Sequence, residues 1–134
     1  MVDTQHAAPA RPALVALPAA IHTANADASG QRLTAAMIPG VKLVIADMTA
    51  TTFCDSTGMD MLVLACQKAA ANGTELRLVL PSPEVLRFMR ILGVDAVLPL
   101  YQSLAEALPS ADTQTQSRAV SLLLARIVRR VMPR

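Results

Sequence analysis

One stretch of this chain restricts its fold more than any other. Lys42 to Met48 reads Lys-Leu-Val-Ile-Ala-Asp-Met, a compact apolar run of the kind found in a strand covered on both faces. Beyond a polar connection, Thr57 to Ala71 sets Met59, Leu62, Val63, Cys66, Ala69 and Ala70 at helical spacing, and Asn72-Gly73 supplies a left-handed stop. Glu75 to Leu80 then alternates as a strand. Strand, helix and strand in this order call for a crossover, and so for a largely parallel sheet with helices packed on it.

The flanking segments extend the alternation. Residues 1–12, rich in Ala and Pro, read as an entry arm, and Ala13 to Leu17 as a short strand ended by Pro18. Thr23 to Met37 has helix composition with Leu33, Ala36 and Met37 as its inward face, although Gly30 weakens it by about 1 kcal/mol relative to Ala. Ser82 suits an N-cap, Pro83 the first turn and Gly93 the stop of a further helix. Ala96 to Leu100 is a last strand candidate, and Ser103 with Glu106 has capping-box spacing for a short helix. The fold class expected is α/β, with a central mixed sheet of four or five mostly parallel strands in residues 13–108. A linker over 109–117 and a separate basic helix over 118–134 complete the predicted organisation.

Charge follows the same division. The chain of 134 residues has net charge +2, but residues 1–112 carry seven basic against ten acidic residues, net −3. Residues 113–134 hold five arginines and no acid, net +5. Only the tail therefore suggests an acidic partner. The apolar stretch near the start is broken by Pro18 and falls short of the roughly 20 residues a spanning helix needs. The first ten residues lack a basic n-region, so no signal peptide is expected. Cys54 and Cys66, with only His6 and His22 beside them, support neither a disulfide scaffold nor a zinc site, and a cytoplasmic setting with reduced thiols is expected.

The segment with chemical promise joins the strand near Val44 to the helix near Thr57. It ends in Asp55-Ser56-Thr57-Gly58, two hydroxyls and a carboxylate at a helix start. Spacing alone favours ordinary helix capping over regulation for these residues. No triad spacing, glycine-rich phosphate loop, metal cluster or other cofactor motif accompanies them, which argues against an enzyme.

Val44 to Gly58, reading Val-Ile-Ala-Asp-Met-Thr-Ala-Thr-Thr-Phe-Cys-Asp-Ser-Thr-Gly, closely resembles the signature of the STAS domain, the family of bacterial anti-sigma factor antagonists. The similarity continues through Leu76 to Pro83, Leu92-Gly93-Val94 and Leu104 to Leu108. The resemblance implies the STAS fold and places a phosphorylation site at Ser56. It also implies a partner, an anti-sigma factor that is a serine kinase of the histidine-kinase-like ATPase type, and a phosphatase that restores the complex. The unphosphorylated protein would hold that partner and free a sigma factor. A phosphate on Ser56 would add about −1.5 to −2 charges beside Asp55, and Asp47 is a further candidate for the same negative patch. Thr57 and Gly58 would shape the acceptor turn.

Partner contacts are expected around that turn. If Met59, Leu62, Val63 and Cys66 face the core, Met61 and Leu64 point sideways or outward, either to dock a partner or to pack beneath a loop. On the docking reading, a charge at Met61 would weaken binding without changing the melt. Family members commonly carry Gly-Glu-Ile-Asp where this chain has Ala19-Ala20-Ile21-His22, so His22 is either a specificity change or a tolerated loop residue. In the tail, Val120, Leu123, Leu124, Ile127, Val128 and Val131 share one helical face. That face can meet its own domain, a homodimer mate, a partner or an anionic membrane surface. Nucleic acid is not expected, since the body has no basic face or aromatic platform. The alternative reading of the whole chain is a STAS subunit of a membrane lipid-transport ATPase complex.

Overall fold

The computed structural model describes residues 11–109. The expected arm falls largely, and the linker and basic helix almost wholly, outside the described residues. Strands β1 (Ala13–Ala16), β3 (Leu43–Asp47), β5 (Glu75–Val79) and β6 (Leu100–Tyr101) form a sheet in the order β1-β3-β5-β6. Strands β2 (Ala20–Ile21) and β4 (Phe53–Cys54) form a separate two-stranded ladder. Every pairing among these strands is parallel, so the antiparallel component expected of a mixed sheet is not found in the described residues.

Alternation along the strands sorts the side chains into two layers. Val44 and Ala46 of β3 and Leu76 and Leu78 of β5 enter the main core with Val15, Leu33, Met59 and Leu62. Leu43, Ile45 and Val79 point the other way, beneath Ala107 of the short helix α4 (Leu104–Ala107). Both faces of β3 are thus covered, which is why its sequence has no polar alternation. Arg77 fastens the second layer: its Nη1 donates to Ala107 O at 2.7 Å, its Nε donates to Glu75 Oε2 at 2.7 Å, and its guanidinium lies 5.4 Å from the Tyr101 ring centroid.

The helices depart from expectation in instructive ways. Helix α1 spans Ala26–Ala35, starting later than Thr23 because the preceding residues are used in a turn. Asn25 Oδ1 accepts from His22 N–H at 2.9 Å and Asn25 Nδ2 donates to Ala20 O at 2.8 Å. Helix α2 spans Ser56–Ala71 and buries Gly58, Met59, Met61, Leu62, Ala65 and Ala69. Met61, expected to point sideways or outward, is therefore buried on the side toward α1, and Val63 and Cys66 are only half-buried. The sheet lies beneath α2 and α1 lies beside it, so the buried arc widens toward α1. Helix α3 (Pro83–Leu92) has the expected Ser82 cap and Gly93 stop, the glycine at φ +80°. The strand expected over Ala96 to Leu100 is mostly absent: Val94–Ala96 forms a 3-10 turn, Val94 O accepts from Val97 and Leu98, and only Leu100–Tyr101 pairs.

Candidate functional site

The β2/β4 ladder exists to hold the Asp55-Ser56-Thr57-Gly58 turn. Asp55 N–H donates to Ile21 O at 3.0 Å, which joins the turn to the end of β2. Thr51, fully buried, donates its hydroxyl to Pro18 O at 2.8 Å and so ties the approach to β4 onto the chain leaving β1. Asp55 is the N-cap of α2: its Oδ1 accepts from Gly58 N–H at 3.0 Å. Ser56 and Thr57 follow as the first two helical residues, both exposed.

Gly58 faces inward. A Cβ built there would stand 2.6 Å from Cys54 Sγ and 2.8 Å from Ile21 Cγ2, so only glycine lets the start of α2 seat against the ladder. Its place in the site is to bring the turn down onto β2 and β4, with its own atoms buried. Burial, with Asp55 adding to it, pushes the Cys54 thiol up to about 12, and burial pushes Cys66 up to about 11. Neither thiol is a ready nucleophile at neutral pH.

The sequence-predicted residues come together unevenly. His22 lies in the turn after β2: His22 O accepts from Asn25 N–H and Ala26 N–H, and its Nδ1 accepts from Ala24 N–H at 3.2 Å. The next residue, Thr23, meets Thr57 across the helix starts, hydroxyl to hydroxyl at 3.3 Å. Leu64 is 55% exposed, whereas Met61 is 8% exposed and lies against α1. A charge at Met61 would therefore damage the α1/α2 contact, and Leu64 is the position at which the outer face can be changed alone. Asp47 is occupied locally, accepting from the backbone and hydroxyl of Thr49. Sequence reasoning missed Thr23 and Thr51, whose contacts are long-range, and Asn25, which fastens the turn after a two-residue strand too short to carry a pattern.

Two concavities flank the turn. One, about 270 Å³, runs between α1 and α2 and includes Thr23, Thr57, Asp60, Met61 and Leu64. The other, also about 270 Å³, lies between the turn and α3 and includes Phe53, Asp55, Val85 and Phe88. Ser56 thus projects from a ridge with an apolar hollow on either side. No described helix is long and apolar enough to cross a membrane.

Comparison with known proteins agrees with this architecture. No curated protein is a significant sequence match. Among solved structures, an anti-sigma factor antagonist from Mycobacterium paratuberculosis superposes with TM-score 0.64 at 25% identity, covering 72% of this chain and 81% of that one. The anti-sigma factor antagonist SpoIIAA in its unphosphorylated form gives 0.59 at 16%, covering 81% and 90%. The STAS domain of a SulP transporter from Vibrio cholerae gives 0.63 at 20%, covering 85% and 93%. The STAS domain model matches residues 3–107, most of the chain. The ladder-held turn, the parallel sheet and this match together show that the chain belongs to the STAS domain family.

Proposed function

We propose that this chain is an anti-sigma factor antagonist, a protein-binding module whose partner is an anti-sigma factor acting also as a serine kinase. Its switch is phosphorylation of Ser56. The observation that carries this reading is the division of labour in the turn: Asp55 caps the helix, Gly58 wedges against the ladder, and Ser56 between them is exposed. Likeness to the mycobacterial antagonist supports the same class of partner.

The switch works by charge at a prepared position. The first helical amides have no partner within the helix, and the helix dipole favours negative charge at this end. A phosphate on Ser56 is tolerated by the fold for that reason. To a partner shaped for a neutral hydroxyl, the same group brings about −1.5 to −2 charges beside Asp55 and Asp60. Repulsion and desolvation then oppose docking on Thr57, Leu64 and the His22 turn, and a phosphatase resets the surface.

The test is mass spectrometry after incubation with candidate anti-sigma kinases and ATP, paired with binding measurements on Ser56→Ala and Ser56→Asp. Phosphate on Ser56, with binding lost in the Asp variant and kept in the Ala variant, is the expected result. Indifference of both variants sinks the proposal. Co-purification with a membrane lipid-transport ATPase complex instead of a soluble kinase would move the chain to the alternative of a STAS subunit of such a complex.

A further inference from the structure

The groove between α1 and α2 has a floor of Gly30, Met61, Leu64 and Ala65 and a volume of about 270 Å³. Gly30 lets α1 and α2 approach closely beneath it: a Cβ there would stand 2.9 Å from Met61 Cγ. The helices run parallel, since Thr23 meets Thr57 at their starts and Gly30 meets Met61 further along. Charge is divided lengthwise, with Asp27 and Asp60 at the end near Ser56 and Lys68 at the other. Such a groove suits an apolar helical stripe with cations concentrated at one end.

The chain itself contains such a segment, outside the described residues. Val120, Leu123, Leu124, Ile127, Val128 and Val131 share one face at helical spacing, and Arg126, Arg129 and Arg130 cluster in the second half. We infer that residues 118–134 dock in the α1/α2 groove of their own domain, antiparallel to both helices, with the arginines of the second half at Asp27 and Asp60. The polarity follows from charge, because the half holding only Arg118 meets Lys68 and the arginine-rich end meets the two carboxylates.

Reach and strength are adequate. From Pro109 to Val120 the chain spans up to about 36 Å at 3.3 Å per residue. A 100-residue domain has a radius of gyration of about 13 Å, so that tether can round it. Tethering supplies an effective concentration of order mM, enough for a shallow groove to be filled. The net +5 of the tail and net −3 of residues 1–112 attract one another over longer range. The docking stands apart from the proposed function and is tested without kinase or sigma factor.

The test uses the full chain with carbon-13 methyl-labelled methionine, reading Met61 and assigning it by Met61→Leu. Leu124→Glu with Val128→Glu should shift the Met61 methyl resonance, and Asp27→Lys with Asp60→Lys should shift it in the same way. Adding Arg126→Glu, Arg129→Glu and Arg130→Glu to the double lysine variant should restore the original resonance. Circular dichroism confirms that each variant is folded. A Met61 resonance that ignores the tail substitutions overturns the inference, and tail-dependent pelleting with phosphatidylglycerol vesicles would then assign the segment to a membrane. A shift that vanishes on dilution, with a dimer mass in light scattering, overturns it in favour of a second copy.

Discussion

Replacing Gly58 by Ala should destabilise the protein although it adds a helix-favouring residue to a helix. The added Cβ meets Cys54 Sγ at 2.6 Å and Ile21 Cγ2 at 2.8 Å, against an optimal separation of roughly 3.5–4.0 Å between nonbonded carbons. About 1 Å of overlap must be relieved on two sides at once. Neither neighbour is free to give, since Cys54 and Ile21 are buried and sit opposite one another in the β2/β4 register. Overpacking of this kind costs about 1–3 kcal/mol, and the helical preference of Ala over Gly returns at most about 1 kcal/mol. A net loss of about 1–2 kcal/mol follows, or a fall in Tm of about 5–15 °C for a domain of this size. With no Trp and one Tyr in the chain, urea unfolding followed by far-ultraviolet circular dichroism is the suitable assay. Cys54→Ala removes the nearer obstacle, so Gly58→Ala combined with Cys54→Ala should lose less than the sum of the single changes, by about 1 kcal/mol. Unchanged or increased stability in Gly58→Ala, or strict additivity in the double variant, would refute the wedge.

Further outcomes follow from individual contacts. Asp55→Ala should cost about 1 kcal/mol through loss of the bond to Gly58 N–H, while Asp55→Asn should retain most of it, as read by urea midpoints. Arg77→Met should cost about 1–2 kcal/mol by freeing α4 from the sheet, and Arg77→Lys should not recover it, because one ammonium cannot reproduce the fork to Glu75 and Ala107. The thiols predict a pH dependence. Their pKa values are raised from 9.0 to about 12 at Cys54 and about 11 at Cys66, so above pH 9 the unfolded chain binds fewer protons than the folded one. The stability from keeping them neutral is complete below pH 9 and is lost as pH rises toward those values. Tm should fall between pH 9 and 11, and less steeply in Cys54→Ala. A slope that Cys54→Ala leaves unchanged would assign the fall to other groups.

Much of the architecture was legible because its signals are local. The uniform apolar run of β3, the Asn72-Gly73 stop of α2, and the Ser82, Pro83 and Gly93 punctuation of α3 each state their own conformation. The Ser103 cap of α4 was legible for the same reason, its Oγ accepting from Glu106 N–H at 3.1 Å. The other half of the box closed differently: Glu106 Oε1 accepts from Gln102 N–H, one residue before the cap. Strands β2 and β4 were invisible because two residues carry no periodicity. The strand expected after Gly93 failed because apolar composition alone cannot separate a 3-10 turn from a short buried strand.

The candidate site divides along the same line. Asp55, Ser56, Thr57 and Gly58 were marked by residue type alone, since a carboxylate, two hydroxyls and a glycine at a helix start are a local arrangement. Which of them faces out was decided by tertiary contact: Asp55 turns back onto Gly58 N–H, Gly58 fits against Cys54 and Ile21, and Ser56 and Thr57 remain exposed. The periodicity of α2 showed that it has a buried face, but not that α1 would lie beside it and draw Met61 inward. A single helix records in its sequence that it must bury one side. Where that side ends depends on what packs next to it, and only the assembled sheet, ladder and neighbouring helix supply that.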